Sequence, residues 1–321
     1  MKIVSVIGAR PQFIKAAAIS RKLRTRHHEV LVHTGQHYDS NMSCVFFEEP
    51  DWVLVYGDTN STLAGALAAV KLHRNVVHIE AGLRSFNRSM PEEINRVLTD
   101  HISNVLFCPS QIAVENLARE GIHDGVHLVG DVMLDVLLHT KEQAGSFSKI
   151  LEQIGVKEKG YLIATIHRAE NTDNLDRLSN IVDGLTSLDE IVIIPLHPRT
   201  RKVLQKSGLI NNFTHDVANI RLLEPVGYMD MVRLQQSARM ILTDSGGMQK
   251  EAYWLHVPCL TLREETEWTE TVEAGWNILV GASKDAIIEN VCSFKPPLEH
   301  PQLYGDGLTS QRCVDLLSTY S

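Results

Sequence analysis

The sequence predicts an α/β protein of two domains, each a parallel sheet covered on both faces by helices. Three observations carry this. Short β-rich runs alternate with segments that are apolar at helical spacing. The runs are apolar at nearly every position, as strands buried on both faces of a parallel sheet are. The alternation pauses once, near residue 140, in the polar helical stretch LLHTKEQAGSFSKILEQIGVKEKG, and then resumes. A chain of 321 residues is long enough to bury two cores.

In chain order, the first half offers KIVSVIG, HEVLVHTG, DWVLVYGD, VVHIE, VLFCPS and VHLVG as strands, with QFIKAAAISRKLRT and NSTLAGALAAVKLH as helices between them. Pro11 suits the opening turn of the first helix, where its missing N–H costs nothing. The second half offers YLIATIH, EIVIIPLHP, IRLLEP, ARMILTDSGG, VPCLTLRE and WNILVG. One junction is sterically tight: NMSCVFFEE reads as a helix start and meets the strand of PDWVLVYGD through Pro50 alone.

Composition narrows the function classes. The net charge is −8, with acids and bases interspersed. That argues against nucleic acid or an anionic membrane as the main partner, while leaving room for a small anionic ligand. Five cysteines, odd in number and widely spaced without CxxC, make a disulfide framework or a thiolate zinc site unlikely. The histidines show no metal-ligand spacing, so no metal is expected. Arg10 and Pro11 cut short the apolar N-terminus, and no run approaches membrane-spanning length. A cytoplasmic setting is the expectation.

Ligands of open α/β sheets bind beyond the carboxyl ends of the strands. There the first half carries Arg10 and Lys15 after its first strand, Asp58 after the third and Glu80 after the fourth, with Glu92 further on in MPEEINR. Only one glycine follows the first strand, so the dinucleotide fingerprint GxGxxG is missing and hydride transfer is disfavoured. Rival roles exist. Arg10 and Lys15 could be solvated cations, Asp58 could cap the next helix, and Ser89 with Glu92 has capping-box spacing. Glu80, at the end of a buried strand before Ala-Gly, has no obvious capping job. The second half carries His167, Arg168, His197, Arg199 and Arg263 at strand ends. It also carries TDSGGMQKEA, where a strand hands over to a helix. There Asp244 or Ser245 could cap, or Ser245, Gly246 and Gly247 could hold a phosphate on the helix N-terminus. Acids in one half and an anion site in the other suit a nucleotide-sugar enzyme working in an interdomain cleft.

GARPQFIK, TGQHYD, GDTNST, HIEAGLRS, MPEEINR, HRAEN, HPRT, DSGGMQKEA and REETEW, in this order over nearly the whole chain, closely resemble the non-hydrolysing UDP-N-acetylglucosamine 2-epimerases. The resemblance implies two Rossmann-like doubly wound domains arranged as in GT-B glycosyltransferases. They would span residues 1–140 and 141–305, with a last helix, 306–321, returning to the first. It implies a cytoplasmic homodimer that makes a precursor of cell-surface polysaccharide and needs no cofactor. By the same resemblance Ser245, Gly246 and Gly247 would grip the diphosphate, aided by Arg10 and His167. Glu251 would bind the ribose, and the backbone from Pro225 to Tyr228 would read the uracil. Arg263 would lie among the substrate-binding residues. Asp58, Glu80 and Glu92 would be the acid/base carboxylates, with Lys15 and His167 beside the chemistry. Gln36, His37 and Arg168 would lie near a second UDP-sugar site.

The chain departs from the family at three places. An extra segment of a few tens of residues, including a Gly-rich stretch, usually stands between FFEE and PDWVLV, so Glu49 and Pro50 are not expected to be bonded neighbours. Thr269 replaces a commoner Pro, and Gln12 replaces a frequent Glu. The implied reaction is inversion at C2 of UDP-N-acetylglucosamine through loss of UDP to a glycal and its re-addition. A UDP-2,3-diacetamido-glucuronate 2-epimerase, a GT-B glycosyltransferase and a catalytically silent UDP-sugar sensor stay open as alternatives.

Overall fold

Each of the twelve apolar runs read from the sequence contains a strand. The computed structural model describes residues 1–34, 50–213 and 219–320. Glu49, and with it the junction to Pro50, lies outside the described residues. The chain divides into two compact units, residues 1–138 with 302–321, and residues 139–301.

The first unit is built from β1 (Lys2–Ile7), α1 (Arg10–Leu23), β2 (His28–His33), β3 (Trp52–Tyr56), α2 (Asn60–Lys71), β4 (Asn75–Ile79), α3 (Pro91–Ile102), β5 (Val105–Cys108), α4 (Gln111–Arg119) and β6 (Val126–Leu128). Its described strands form one parallel sheet in the order β2-β1-β3-β4-β5-β6. Ile3, Ile7, Leu54, Val77 and Phe107 fill its core. The chain passes into the second unit within α5 (Val132–Phe147), followed by α6 (Ile150–Ile154).

The second unit continues with β7 (Leu162–Thr165), α7 (Ala169–Thr172), α8 (Leu175–Thr186), β8 (Val192–Pro195), α9 (Pro198–Ser207), β9 (Ile220–Leu223), α10 (Tyr228–Ser237), β10 (Met240–Thr243), α11 (Gly246–Trp254), β11 (Cys259–Thr261), α12 (Thr269–Glu273), β12 (Asn277–Leu279) and α13 (Lys284–Ser293). Its sheet is also parallel, in the order β12-β11-β10-β7-β8-β9. Counted within the unit this is 6-5-4-1-2-3, the Rossmann order. The last helix, α14 (Thr309–Ser318), belongs to the first unit. Cys313, Val314 and Leu317 join the core there, and Asp135 on α5 accepts the N–H groups of Thr309 and Ser310 (3.1 and 2.7 Å).

Both sheets are buried on two faces, which is why their strands read as continuous apolar runs. The central strands β3, β7 and β10 are buried at every position. Among the described residues no helix is long and apolar enough to cross a membrane.

Candidate active site

Strand order reverses at one place in each sheet, and there loops part to leave a crevice beyond the strand ends. In the first unit the reversal falls between β1 and β3. Gln12, buried on α1, ties the two sides together. Its Oε1 accepts the N–H groups of Gly8 and Ala9 (2.6 and 3.0 Å), and its Nε2 donates to Tyr56 O (2.6 Å) and Thr59 Oγ1 (3.0 Å). Thr59, not Asp58, occupies the N-cap of α2 and accepts from Thr62 N. The capping role considered for Asp58 is therefore taken by its neighbour, and the Asp58 carboxylate instead meets the Arg96 guanidinium.

Lys15 and Glu80 form an ion pair, both side chains nearly buried. The pair lies over Gly57, where an added Cβ would stand 3.2 Å from Glu80 Oε2 and 3.6 Å from Lys15 Nζ. Gly57 also has φ +62°, so glycine is needed there twice over. Glu80 itself has φ +72°. A side-chain-bearing residue pays about 1–2 kcal/mol for that conformation. It is held because the N–H groups of Glu80 and Ala81 both donate to Phe107 O (3.1 and 3.0 Å). Strain of this kind collects at functional positions.

Helix α3 serves the same site from one stripe, since Glu92, Arg96 and Asp100 are spaced four residues apart. Asn95 Nδ2 donates to Asp58 O (3.0 Å), beside the Arg96–Asp58 pair. Glu92 is exposed on the first turn of α3, and its side chain makes no hydrogen bond or ion pair among the described residues. Its capping box with Ser89 does not form: Met90 is the N-cap, and Ser89 Oγ donates to Asn87 Oδ1.

In the second unit the reversal falls between β7 and β10. The DSGG motif follows β10, and HR follows β7. Ser245 sits at the N-cap of α11, yet its side chain makes no capping bond. Asp244 turns away from the helix altogether. Fully buried, it accepts the N–H groups of His167 and Arg168 and the Asn171 side-chain amide (3.0–3.1 Å). The helix-cap reading of this motif is thus overturned, because both candidate caps leave the first-turn N–H groups of α11 alone.

His167 is half-buried, with Nδ1 3.4 Å from Asp244 and its ring 5.6 Å from that of His197. Burial holds its imidazole below the ordinary pKa, and Asp244 only partly opposes this. His197 is the N-cap of α9, accepting from Arg199 N (3.2 Å), and Arg199 pairs with Asp173. These strand-end cations are therefore largely matched by acids. Arg168 and Arg263 both face Glu267 (3.5 and 2.9 Å), with Arg263 buried. Glu267 and Trp268 also crowd Gly246, where an added Cβ would lie 2.8 Å from each side chain. Glu251, deeper on α11, accepts from Tyr228 Oη (2.9 Å) and Gln235 Nε2 (2.7 Å). Pro225 lies exposed on the loop after β9. Gln36 and His37 lie outside the described residues, as does the side chain of Arg10.

A sequence profile described as UDP-N-acetylglucosamine 2-epimerase matches residues 48–318. The chain belongs to the UDP-N-acetylglucosamine 2-epimerase family. It is 48% identical to a UDP-N-acetylglucosamine 2-epimerase homolog of Methanococcus maripaludis, with 99% of each chain covered. That alignment runs over 356 positions, more than the residues of this chain, so the relative holds residues without a counterpart here. It is 44% identical, again with 99% of each covered, to a UDP-2,3-diacetamido-2,3-dideoxy-D-glucuronate 2-epimerase of Pseudomonas aeruginosa. Among solved structures, the Methanocaldococcus jannaschii UDP-GlcNAc 2-epimerase in complex with UDP-GlcNAc and UDP superposes with a TM-score of 0.89 at 40% identity, covering both chains in full.

For this member of the epimerase family, reading strand ends found the residues that project from loops and missed those that hold the loops. Gln12, Arg96, Asp100 and Asp244 are buried polar groups that tie one loop to another. Arg96 and Asp100 carried a legible signal, their four-residue spacing behind Glu92. Capping stayed open for Asp244 because its long-range partners cannot be seen in sequence.

Proposed function

We propose that this protein is an isomerase that inverts C2 of a UDP-N-acetylhexosamine, interconverting UDP-N-acetylglucosamine and UDP-N-acetylmannosamine. One observation carries the reading. The reversal point of one sheet carries Asp58 and, beside it, a strained Glu80 paired with Lys15, while that of the other carries a helix N-terminus without a side-chain cap and, on the neighbouring loop, His167.

The chemistry needs both halves. The C2 proton of an N-acetylhexosamine is not acidic in the ground state. Departure of UDP from C1 gives that carbon oxocarbenium character and acidifies C2–H. A carboxylate takes the proton, leaving a glycal. Proton return to the opposite face of C2 and re-addition of UDP at C1 give the epimer, with no net gain or loss of atoms. Charge grows on the leaving diphosphate, so the α11 N–H groups, Ser245, His167 and Arg10 act there. His167 kept neutral by burial donates a hydrogen bond without a buried charge. Glu80, Asp58 and Glu92 serve the proton. Glu251 takes the ribose, oriented by Tyr228 Oη, with the backbone from Pro225 to Tyr228 at the uracil and Arg263 supporting through Glu267. Arg168, with Gln36 and His37, belongs to a second UDP-sugar site.

The 44% identity to a diacetamido-glucuronate epimerase supports a second substrate within the same reaction class. The test is incubation with each UDP-sugar alone, without acceptor. C2 inversion of UDP-N-acetylglucosamine with the higher kcat/KM supports the main reading. Preference for the glucuronate supports the second. Turnover only with an added acceptor would make the protein a glycosyltransferase, and binding without turnover a sensor.

The reading includes a cytoplasmic homodimer acting in the supply of cell-surface polysaccharide. Leu67 on α2, Leu72 just past its end and Leu98 on α3 are about half exposed, and the two helices are adjacent in one unit. Exposed leucines on neighbouring helices suit a self-complementary, two-fold contact.

A further inference from the structure

We propose that His78 and Asp100 are a buried positioning pair that fixes both the Glu80 turn and the Gly57–Asp58 loop for proton transfer. The proposal rests on the reading of Glu80 as a proton-transfer group.

His78 stands on β4, two residues before Glu80, and has no exposed surface. Its Nε2 donates to the carbonyl of Gly57 (2.8 Å) and its Nδ1 to Asp100 Oδ1 (2.6 Å). The other Asp100 oxygen accepts Gly82 N (3.1 Å) and Arg84 Nη1 (2.7 Å). Asp100 on α3 therefore grips the chain on both sides of Glu80, through residue 78 before it and residues 82 and 84 after it. Arg84 is anchored in turn on Glu120 (2.6 and 2.8 Å). This brace is what a left-handed glutamate needs, because its backbone would otherwise relax to an ordinary conformation.

The link to Gly57 extends the brace to the second acid. A trans peptide sets the Gly57 carbonyl and the Asp58 N–H antiparallel. With the carbonyl drawn down onto His78, the Asp58 N–H faces the other way. The side chain of Asp58 follows from that peptide and meets Arg96. One carboxylate thus sets the backbone beneath Glu80 and, through an imidazole, that beneath Asp58.

Both nitrogens of His78 face acceptors, a carbonyl and a carboxylate. Nε2 donates to the one and Nδ1 shares a hydrogen with the other, so neither nitrogen is left unpaired in the core. Burial pushes the Asp100 carboxyl up, but His78 and Arg84 outweigh it and hold it below the usual carboxylate range. His78, Asp100, Arg84 and Glu120 form one connected hydrogen-bonded network.

The substitutions separate the hydrogen-bond path from the charge. In His78→Gln the longer amide keeps a donor near Nε2, on Gly57. In His78→Asn the shorter amide reaches only Asp100. In Asp100→Asn the new amide donates to Nδ1 of a neutral ring, and Nε2–H stays on Gly57. Each full-length variant is assayed for kcat and KM with UDP-N-acetylglucosamine, for UDP affinity and for Tm. Positioning predicts that His78→Asn loses about 100-fold in kcat while His78→Gln and Asp100→Asn stay within about tenfold, with KM and UDP affinity little changed. Equal kcat in the two His78 variants with UDP binding intact overturns the proposal, as does an Asp100→Asn enzyme as slow as His78→Asn. Should His78→Asn fail to fold, a loss of about 100-fold in either remaining variant overturns it alone. Glu80→Gln is run beside them. If it still exchanges the C2 proton, the reading of Glu80 fails, whatever the His78 variants do.

Discussion

Asp244, at the end of β10, holds the backbone of His167, at the end of the neighbouring β7. Its two carboxylate oxygens accept the His167 N–H (3.1 and 3.0 Å), and one of them also accepts Arg168 N (3.0 Å). The bond spans the reversal point of the second sheet, so Asp244 sets the spacing between its two ligand loops. Asp244→Asn swaps one acceptor oxygen for an amide that must face other N–H groups. We expect a loss of about 1–3 kcal/mol of stability, from unpaired buried donors. UDP affinity should fall as well, read by calorimetry at a temperature where the variant is folded.

The two glycines of DSGG should answer differently to alanine. At Gly246 the new methyl meets Glu267 and Trp268 at 2.8 Å, so Gly246→Ala should cost about 1–3 kcal/mol through overpacking. At Gly247 an added methyl would meet Ser245 Oγ at 3.9 Å and, beyond its own helix backbone and chain neighbours, nothing closer among the described residues. Gly247→Ala should keep or raise Tm, since alanine favours the helix. If a phosphate approaches that backbone, the same variant binds UDP about tenfold more weakly. UDP affinity at the wild-type level would place the diphosphate elsewhere.

Stability should depend on His167 below neutral pH. Its folded-state pKa is lowered, by burial first and also by Arg168, His197 and Arg199, against Asp244. The unfolded histidine takes its proton near pH 6.5, the folded one at lower pH. The unfolded state therefore binds more protons in that window, and stability falls as pH drops through and below about 6.5. His27, His127 and His256 shift in the same direction and share the slope. His167→Gln should flatten the dependence of Tm on pH without abolishing it. An unchanged slope would mean that His167 is protonated in the folded protein.

What sequence could and could not deliver follows from the range of the interactions. Strand runs were legible because a strand buried on both faces must be apolar throughout, as VLVY and LIAT show. Lys15 and Glu80 were legible as strand-end and helix-mouth residues, but their pairing depends on two loops meeting over Gly57. Capping stood as a rival role at Asp58, Ser89 and Asp244 for one reason. A short polar side chain before a helix fits a local bond equally well on paper, and a distant partner decided two of the three cases: Arg96 for Asp58, and the His167 loop for Asp244. Ser89 instead bonds locally to Asn87, and Met90 takes the cap.

The apolar face of α2 and α3 gives a test of assembly. Leu67→Glu with Leu98→Glu adds charge at two exposed positions, so the fold should be unaffected. Analytical ultracentrifugation should show wild-type dimers and variant monomers with the same Tm. A variant that stays dimeric would move the contact to another surface.

Proton NMR of UDP-N-acetylglucosamine with the protein in D2O tests the central claim most directly. The predicted result is deuterium at C2 together with the manno epimer, both suppressed by at least about 100-fold in Glu80→Gln while UDP binding persists. Formation of the manno epimer with the C2 proton fully retained, or no exchange at all in a protein that binds UDP, would contradict it.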